Sequence, residues 1–174
     1  MNGVSDWLAI LVAFLGVITS SVIGYLVFLS NRQAQRAEMQ REIGHLYDKL
    51  MDFRERHPEV MALSRNWEET CFSAIYRQKS TKDKQWAIYY TYVELCISFC
   101  NTVIYAHKLG FLNEVSYEQH YRLLVKLLLT EHYPFLSCIL NGKYLSPHIE
   151  GFLKEGEKDG WNWRVMHQEL SGKE

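Results

Sequence analysis

The sequence lacks the short motifs that mark most enzymes and nucleotide-binding proteins. It contains no GxxxxGK[ST] or GxGxxG sequence, which excludes the common phosphate-binding loops, and no HExxH or GxSxG sequence. The chain has 19 lysines and arginines and 20 aspartates and glutamates, which gives a net charge of −1. A chain so nearly neutral has no overall positive field to attract duplex nucleic acid. We therefore expect no enzyme and no cofactor, and nothing in the chain points to duplex nucleic acid as a partner.

Metal-binding pairs are also scarce. The four cysteines form no CxxC pair, which argues against zinc-ribbon and thioredoxin-like sites. Cys96 and Cys100 lie four residues apart on one helical face and His107 follows, but no fourth ligand accompanies them. We expect free buried thiols and no metal site.

What the sequence does contain is one long apolar run. Residues 7–29 carry no charge over 23 positions, and as a helix they would extend roughly 34 Å, enough to cross a bilayer. No basic segment precedes the run and no small-residue cleavage site follows it, which favours a retained anchor over a signal peptide. Arg32, Arg36 and Arg41 come soon after it. The positive-inside rule then predicts a single-pass protein of the inner (cytoplasmic) membrane, with the N-terminus outside and the C-terminal domain cytoplasmic.

Small residues of this run collect on one side. At about 100° per residue, five of them fall within an arc of roughly 80°, which we call the small-residue face. They are Ala9, Ala13, Gly16, Ser20 and Gly24. Small side chains let helices approach closely in lipid, so this face predicts a homo-oligomer. The alternative is chance clustering of residues that are common in membrane helices.

Three hydroxyls lie near the middle of the run, on Thr19, Ser20 and Ser21. In an oligomer they would line a water-filled pore for ions. The commoner arrangement is a bond from each hydroxyl back to a carbonyl four residues earlier in the same helix.

The remaining sequence predicts helices throughout. β-type alternation is rare and the three prolines stand where helices begin or break, as His57-Pro58 does. Before that break, apolar residues are spaced four and three apart, like the seam of a short coiled coil. The seam residues are Met39, Ile43, Leu46, Leu50 and Phe53. The seam would either pair with a second copy of the chain or pack against its own domain.

The fold class expected is all-α, with a single N-terminal transmembrane helix continuing into a cytosolic helical bundle. We divide it into an anchor (1–30), a juxtamembrane helix (31–56), the bundle (57–160) and a tail (161–174). Trp161 and Trp163 of the tail would dock on the bundle, contact lipid headgroups or form a subunit contact.

Residues 85–107 are apolar on nearly all sides, and Glu94 is their only formal charge. We expect the central helix of the bundle there rather than a second span, because its polar residues would be costly in lipid. A buried Glu94 would need a cation, and we expect an ion pair with Arg65, Arg77 or Arg122. Gly110 is expected to end this helix, and Ser116 and Gln119 to form a capping box for the next.

A basic and aromatic cluster precedes and opens this helix. It comprises Arg77, Lys79, Lys82, Lys84, Trp86, Tyr89 and Tyr90. The cations would meet phosphate and a ring would stack on a base, so the cluster is a candidate site for a small nucleotide ligand. The alternative is a solvated loop that only connects two helices.

In layout, one span followed by a helical cytosolic domain, the chain resembles small membrane effectors of bacterial anti-phage (abortive-infection) systems. Its stretch YVELCISFCNTVIYAHKLGFL, residues 92–112, is similar to uncharacterised bacterial membrane-anchored helical proteins. The resemblance implies a membrane effector with a cytosolic sensor, and it implies no functional residue. The small-residue face and the seam add the expectation of a homo-oligomer whose bundle senses a small ligand and whose spans open a pore or perturb the bilayer. The alternative is a membrane-tethered scaffold or adaptor whose span is only an anchor.

Overall fold

The structure, a computed structural model, describes residues 3–60, 84–133, 136 and 145–171. Over these residues the chain is helical and contains no strand, so the predicted all-α class is confirmed. The described chain divides into two compact units, Met1–Met39 and Gln40–Glu174.

Six helices and a π turn have their bounds within the described residues. The helices are α1 (Gly3–Arg56), α2 (Lys84–Lys108), α3 (Glu114–Ser116), α4 (Arg122–Glu131), α5 (Pro147–Lys158) and, in the tail, α6 (Trp163–Ser171). The short helix α3 runs through the π turn Tyr117–Tyr121 into α4, with the N–H of Arg122 donating to the carbonyl of Tyr117 five residues back. Such π turns inside α-helices are frequent at functional sites.

The first unit contains the apolar part of α1. Every large hydrophobic side chain from Ile10 to Leu29 is exposed, by 36% at Leu29 up to 65% at Val17. A helix that is apolar on all sides and uncovered is typical of a segment that lies in lipid.

The second unit is a helical bundle that begins with the last part of α1. Ile43 and Leu50 are 1% and 0% exposed, and the Phe53 ring stacks against that of Tyr92 in α2. Ile43, Leu50 and Phe53 of the predicted seam therefore pack within their own domain. α1 ends at Arg56, immediately before His57-Pro58 as expected.

α2 is the core helix of the bundle and packs against α4 and α5. Its buried residues are Tyr89, Tyr92, Val93, Cys96, Phe99, Cys100, Val103, Ile104 and Ala106. Two described helical stretches are long and apolar enough to cross a membrane, Ile10–Arg56 and Ala87–Lys108. The most apolar 18 residues of the first are not buried at all, whereas 44% of those in the second are buried within the bundle.

Local sequence rules explain most helix ends. Gly110 has a φ of 68° and ends α2, as its position predicted. Ser146 caps α5 by accepting from the Ile149 N–H, and its hydroxyl also donates to Oδ1 of Asn101 in α2.

The predicted Ser116 capping box is wrong. Asn113 is the cap instead, because its backbone is extended and its side chain accepts from the Ser116 N–H at 2.7 Å. The helix starts one turn earlier than predicted, and Ser116 already has helical dihedral angles.

The tail docks on the bundle through its two tryptophans. Trp163 is 2% exposed, and its Nε1–H donates to the carbonyl of Leu153 at 3.2 Å. Both indoles lie against Gly156, where an added Cβ would overlap the Trp161 ring and approach Cζ2 of Trp163 to 2.8 Å. Glycine at this position of α5 is what lets the tail pack so closely.

Candidate functional site

The small-residue face of the span is uncovered. A Cβ built at Gly16 or Gly24 would meet nothing within 4 Å, and Ala13 and Ser20 are exposed. The backbone of Ala9 belongs to α1, while its side chain lies outside what the structure describes. The face is therefore open to another helix along the part of it that is described.

The mid-span hydroxyls have partners within their own helix. Thr19 Oγ1 donates to the Leu15 carbonyl and Ser21 Oγ to the Val17 carbonyl, each at 2.8 Å. These two hydroxyls therefore need neither water nor a neighbouring helix, which removes one reason to place them along a pore.

The predicted nucleotide cluster is only partly described. Arg77, Lys79 and Lys82 lie outside the described residues, and Lys84 and Trp86 are described only as backbone in the first turn of α2. The two tyrosines point to different environments: Tyr90 is 51% exposed, whereas Tyr89 is buried and its hydroxyl shares a 3.0 Å hydrogen bond with Nδ1 of His132. The structure therefore assigns Tyr89 to the core and leaves Tyr90 accessible at the surface.

The expectation for Glu94 is wrong, since its side chain is exposed and has no need of a buried cation. The exposed positions of α2 recur every three or four residues as a narrow polar strip. Over the first part of the helix they are Ala87, Tyr90, Thr91, Glu94 and Ser98, and Tyr105 and Lys108 are exposed near its end. Arg122, considered as a partner for Glu94, instead binds Glu118 and Asp159.

The described thiols are core residues. Cys96 and Cys100 are free and buried, and desolvation raises the pKa of each thiol, so neither is a ready nucleophile at neutral pH. His107 is engaged elsewhere, because its Nε2 donates to the Glu114 carboxylate at 2.9 Å. No group of three or more metal-ligating side chains occurs within the described residues, and Cys71 and Cys138 lie outside them.

One cleft of about 300 Å³ lies where the end of α2, the π turn and α5 meet the Trp161 side chain. The His107 and Tyr117 rings stack in parallel at its edge, 3.7 Å between centroids. Burial raises the pKa of Tyr117 to about 12, with nearby carboxylates adding to the shift and Arg122 opposing it. Its hydroxyl therefore stays protonated at neutral pH and can donate a hydrogen bond.

Two cations of the chain lie near the Trp161 ring, which lines this cleft. Lys126 Nζ lies 4.1 Å from the centroid of the Trp161 ring and the Arg122 guanidinium 5.4 Å from it. The same guanidinium donates to Glu118 and, at 3.2 Å, to Asp159. The cluster ties the helix that follows the π turn to the end of α5 and to the tail.

Sequence reasoning missed this cleft because its residues are far apart in the chain. The only local sign is the tail pair Trp161 and Trp163, for which docking on the bundle was one of three alternatives. Which cations would meet the indole depends on the register between α4 and α5, and that register is not readable from residue spacing.

Comparison of the chain with protein-family models, with curated proteins and with solved structures finds no match. The class of protein is therefore defined by the fold alone. The chain is an all-α protein with a long, uncovered apolar helix near its N-terminus that could serve as a membrane span.

Proposed function

We propose that this protein is a single-span membrane effector that self-associates through the small-residue face of its span and carries its helical bundle in the cytoplasm as a sensor. The observation that carries the proposal is the exposure of the apolar segment on every side, together with the open space around Gly16 and Gly24. Exposing a helix that is apolar on every side to water is unfavourable. In lipid, its small residues favour close contact between helices.

Single-pass topology is supported by the contrast between the two apolar helices. α2 buries one side against α4 and α5 and presents Thr91, Glu94 and Ser98 on the other, an arrangement that suits a bundle in water better than lipid. The arginines that follow the span support a bundle on the cytoplasmic side of the inner membrane. A C-terminal fusion of alkaline phosphatase should then be inactive, whereas a C-terminal fusion of a fluorescent protein should fluoresce. An active phosphatase fusion would show that the bundle lies outside the cytoplasm and contradict the proposed orientation.

Self-association is tested by Gly16→Leu and Gly24→Leu. Within the chain itself both leucines have room, since nothing lies within 4 Å of either added Cβ, so any loss of assembly comes from the contact between copies. Val22→Leu introduces the same residue on the opposite side of the helix, where Val22 is 52% exposed, and is the matched control.

Crosslinking in membranes reports assembly, and ion flux from liposomes reports a pore. We expect both glycine variants to lose crosslinking and any flux while Val22→Leu keeps them. If Gly16→Leu assembles and conducts like the parent, the small-residue face is incidental.

A second function, a membrane-tethered scaffold or adaptor for a protein partner, is favoured by one observation. The hydroxyls of Thr19 and Ser21 bond to their own helix, so the span offers less polar surface to a pore. Assembly without ion flux from any variant would select this function, because an anchor needs to hold the bundle at the membrane and no more.

The ligand of the sensor is proposed to be a small nucleotide that binds at Lys82, Lys84 and the residues around them. In calorimetric titration of the full chain in mild detergent with ATP, Lys82→Glu with Lys84→Glu should abolish binding by reversing two charges that would meet phosphate. Lys154→Glu, an exposed lysine on α5, is the control for added negative charge. Equal heats from all three proteins would dismiss the site.

A role in anti-phage defence rests on the layout of one span and a helical cytosolic domain. Bacteria that express the parent should lower phage plating, and those that express Gly16→Leu at equal levels should not. If both proteins protected equally, defence would not depend on assembly through the small-residue face.

A further inference from the structure

We draw no further inference here: the strongest candidate, the cleft between the end of α2, the π turn, α5 and Trp161, is lined by as many carboxylates (Glu118, Glu155, Asp159) as lysines and arginines (Lys108, Arg122, Lys158) and has its guanidinium already paired, so nothing in the described residues shows which ligand chemistry it would take.

Discussion

Leucine side chains in two stretches of α1 differ completely in burial. Leu26, in the first unit, is 58% exposed, whereas Leu50, in the second, is fully buried. Residue type and secondary structure are identical in the two places, so the difference lies in what surrounds the helix. Around Leu50 the bundle covers the helix, and the neighbouring Tyr47 and Phe53 rings contact Phe99 and Tyr92 of α2. Around Leu26 nothing in the first unit covers the helix.

This comparison teaches how to interpret the apolar run. Burial of an apolar side chain contributes about 1.5–3 kcal/mol, and the first stretch forgoes that contribution at every large residue from Ile10 to Leu29. A membrane or neighbouring copies would provide the missing cover. Substitutions that act on one stretch and spare the other sharpen the contrast.

The largest effect is expected from Leu50→Ala. Removing a fully buried leucine should destabilise the bundle by about 2–5 kcal/mol, because the methyl groups are lost and a cavity remains. Leu26→Ala should change the unfolding of the bundle by less than about 0.5 kcal/mol. Denaturant unfolding of the full chain in mild detergent, followed by near-ultraviolet circular dichroism, measures both. Equal losses would show that the two stretches share one core.

A smaller effect of about 1–3 kcal/mol is expected from Gly156→Ala, because the new Cβ would overlap rigid indole rings and undock the tail. Gly151→Ala on the same helix is the matched control. There the new Cβ would lie 3.3 Å from Nζ of Lys108, the end of a flexible side chain, and alanine is a better helix former by about 1 kcal/mol. In the same unfolding assay we expect Gly156→Ala to lower the free energy of unfolding and Gly151→Ala to raise it. If both variants were destabilised, the cause would lie in the helix backbone and not in the contact with the indole rings.

Alkaline pH should weaken the bundle through Tyr117. Its pKa is about 12 in the folded chain against an ordinary 10, so its contribution is complete below pH 10 and is lost as pH rises towards 12. Tyr117→Phe removes this ionisation and should make the fall in stability shallower between those values. Tyr105→Phe, at a 40% exposed tyrosine, is the control for loss of a tyrosine hydroxyl. Identical profiles for all three proteins would contradict the argument.

The smallest effect is expected from Glu94→Gln. An exposed carboxylate on the polar strip of α2 should be replaceable at a cost below about 0.5 kcal/mol. A loss of several kcal/mol in the free energy of unfolding would contradict this and support the buried ion pair expected from the sequence.

Helix ends and fold class were predictable where the cause is local. Pro58, Gly110 and Ser146 each act through their own backbone or that of the next turn, and the structure places a helix end at each. Asn113 shows the limit of this reasoning. Both Asn113 and Ser116 are good caps, and only the backbone conformation distinguishes the cap from a residue one turn inside the helix.

The environment of Glu94 was predictable in principle. Thr91, Glu94 and Ser98 lie three and four residues apart, a spacing that marks one face of a helix, but their apolar neighbours hide it in a count of hydrophobic residues. The cleft was not predictable, because residues far apart in the chain, such as His107, Arg122 and Trp161, line it, and only tertiary packing brings them together.

The buried position of Trp163 also makes the chain its own spectroscopic reporter. An indole that is 2% exposed and donates to a backbone carbonyl is shielded from aqueous quenchers, whereas Trp7 is 74% exposed at the start of the apolar helix. Light emitted from Trp163 therefore follows the docking of the tail, and light emitted from Trp7 follows the surroundings of the span.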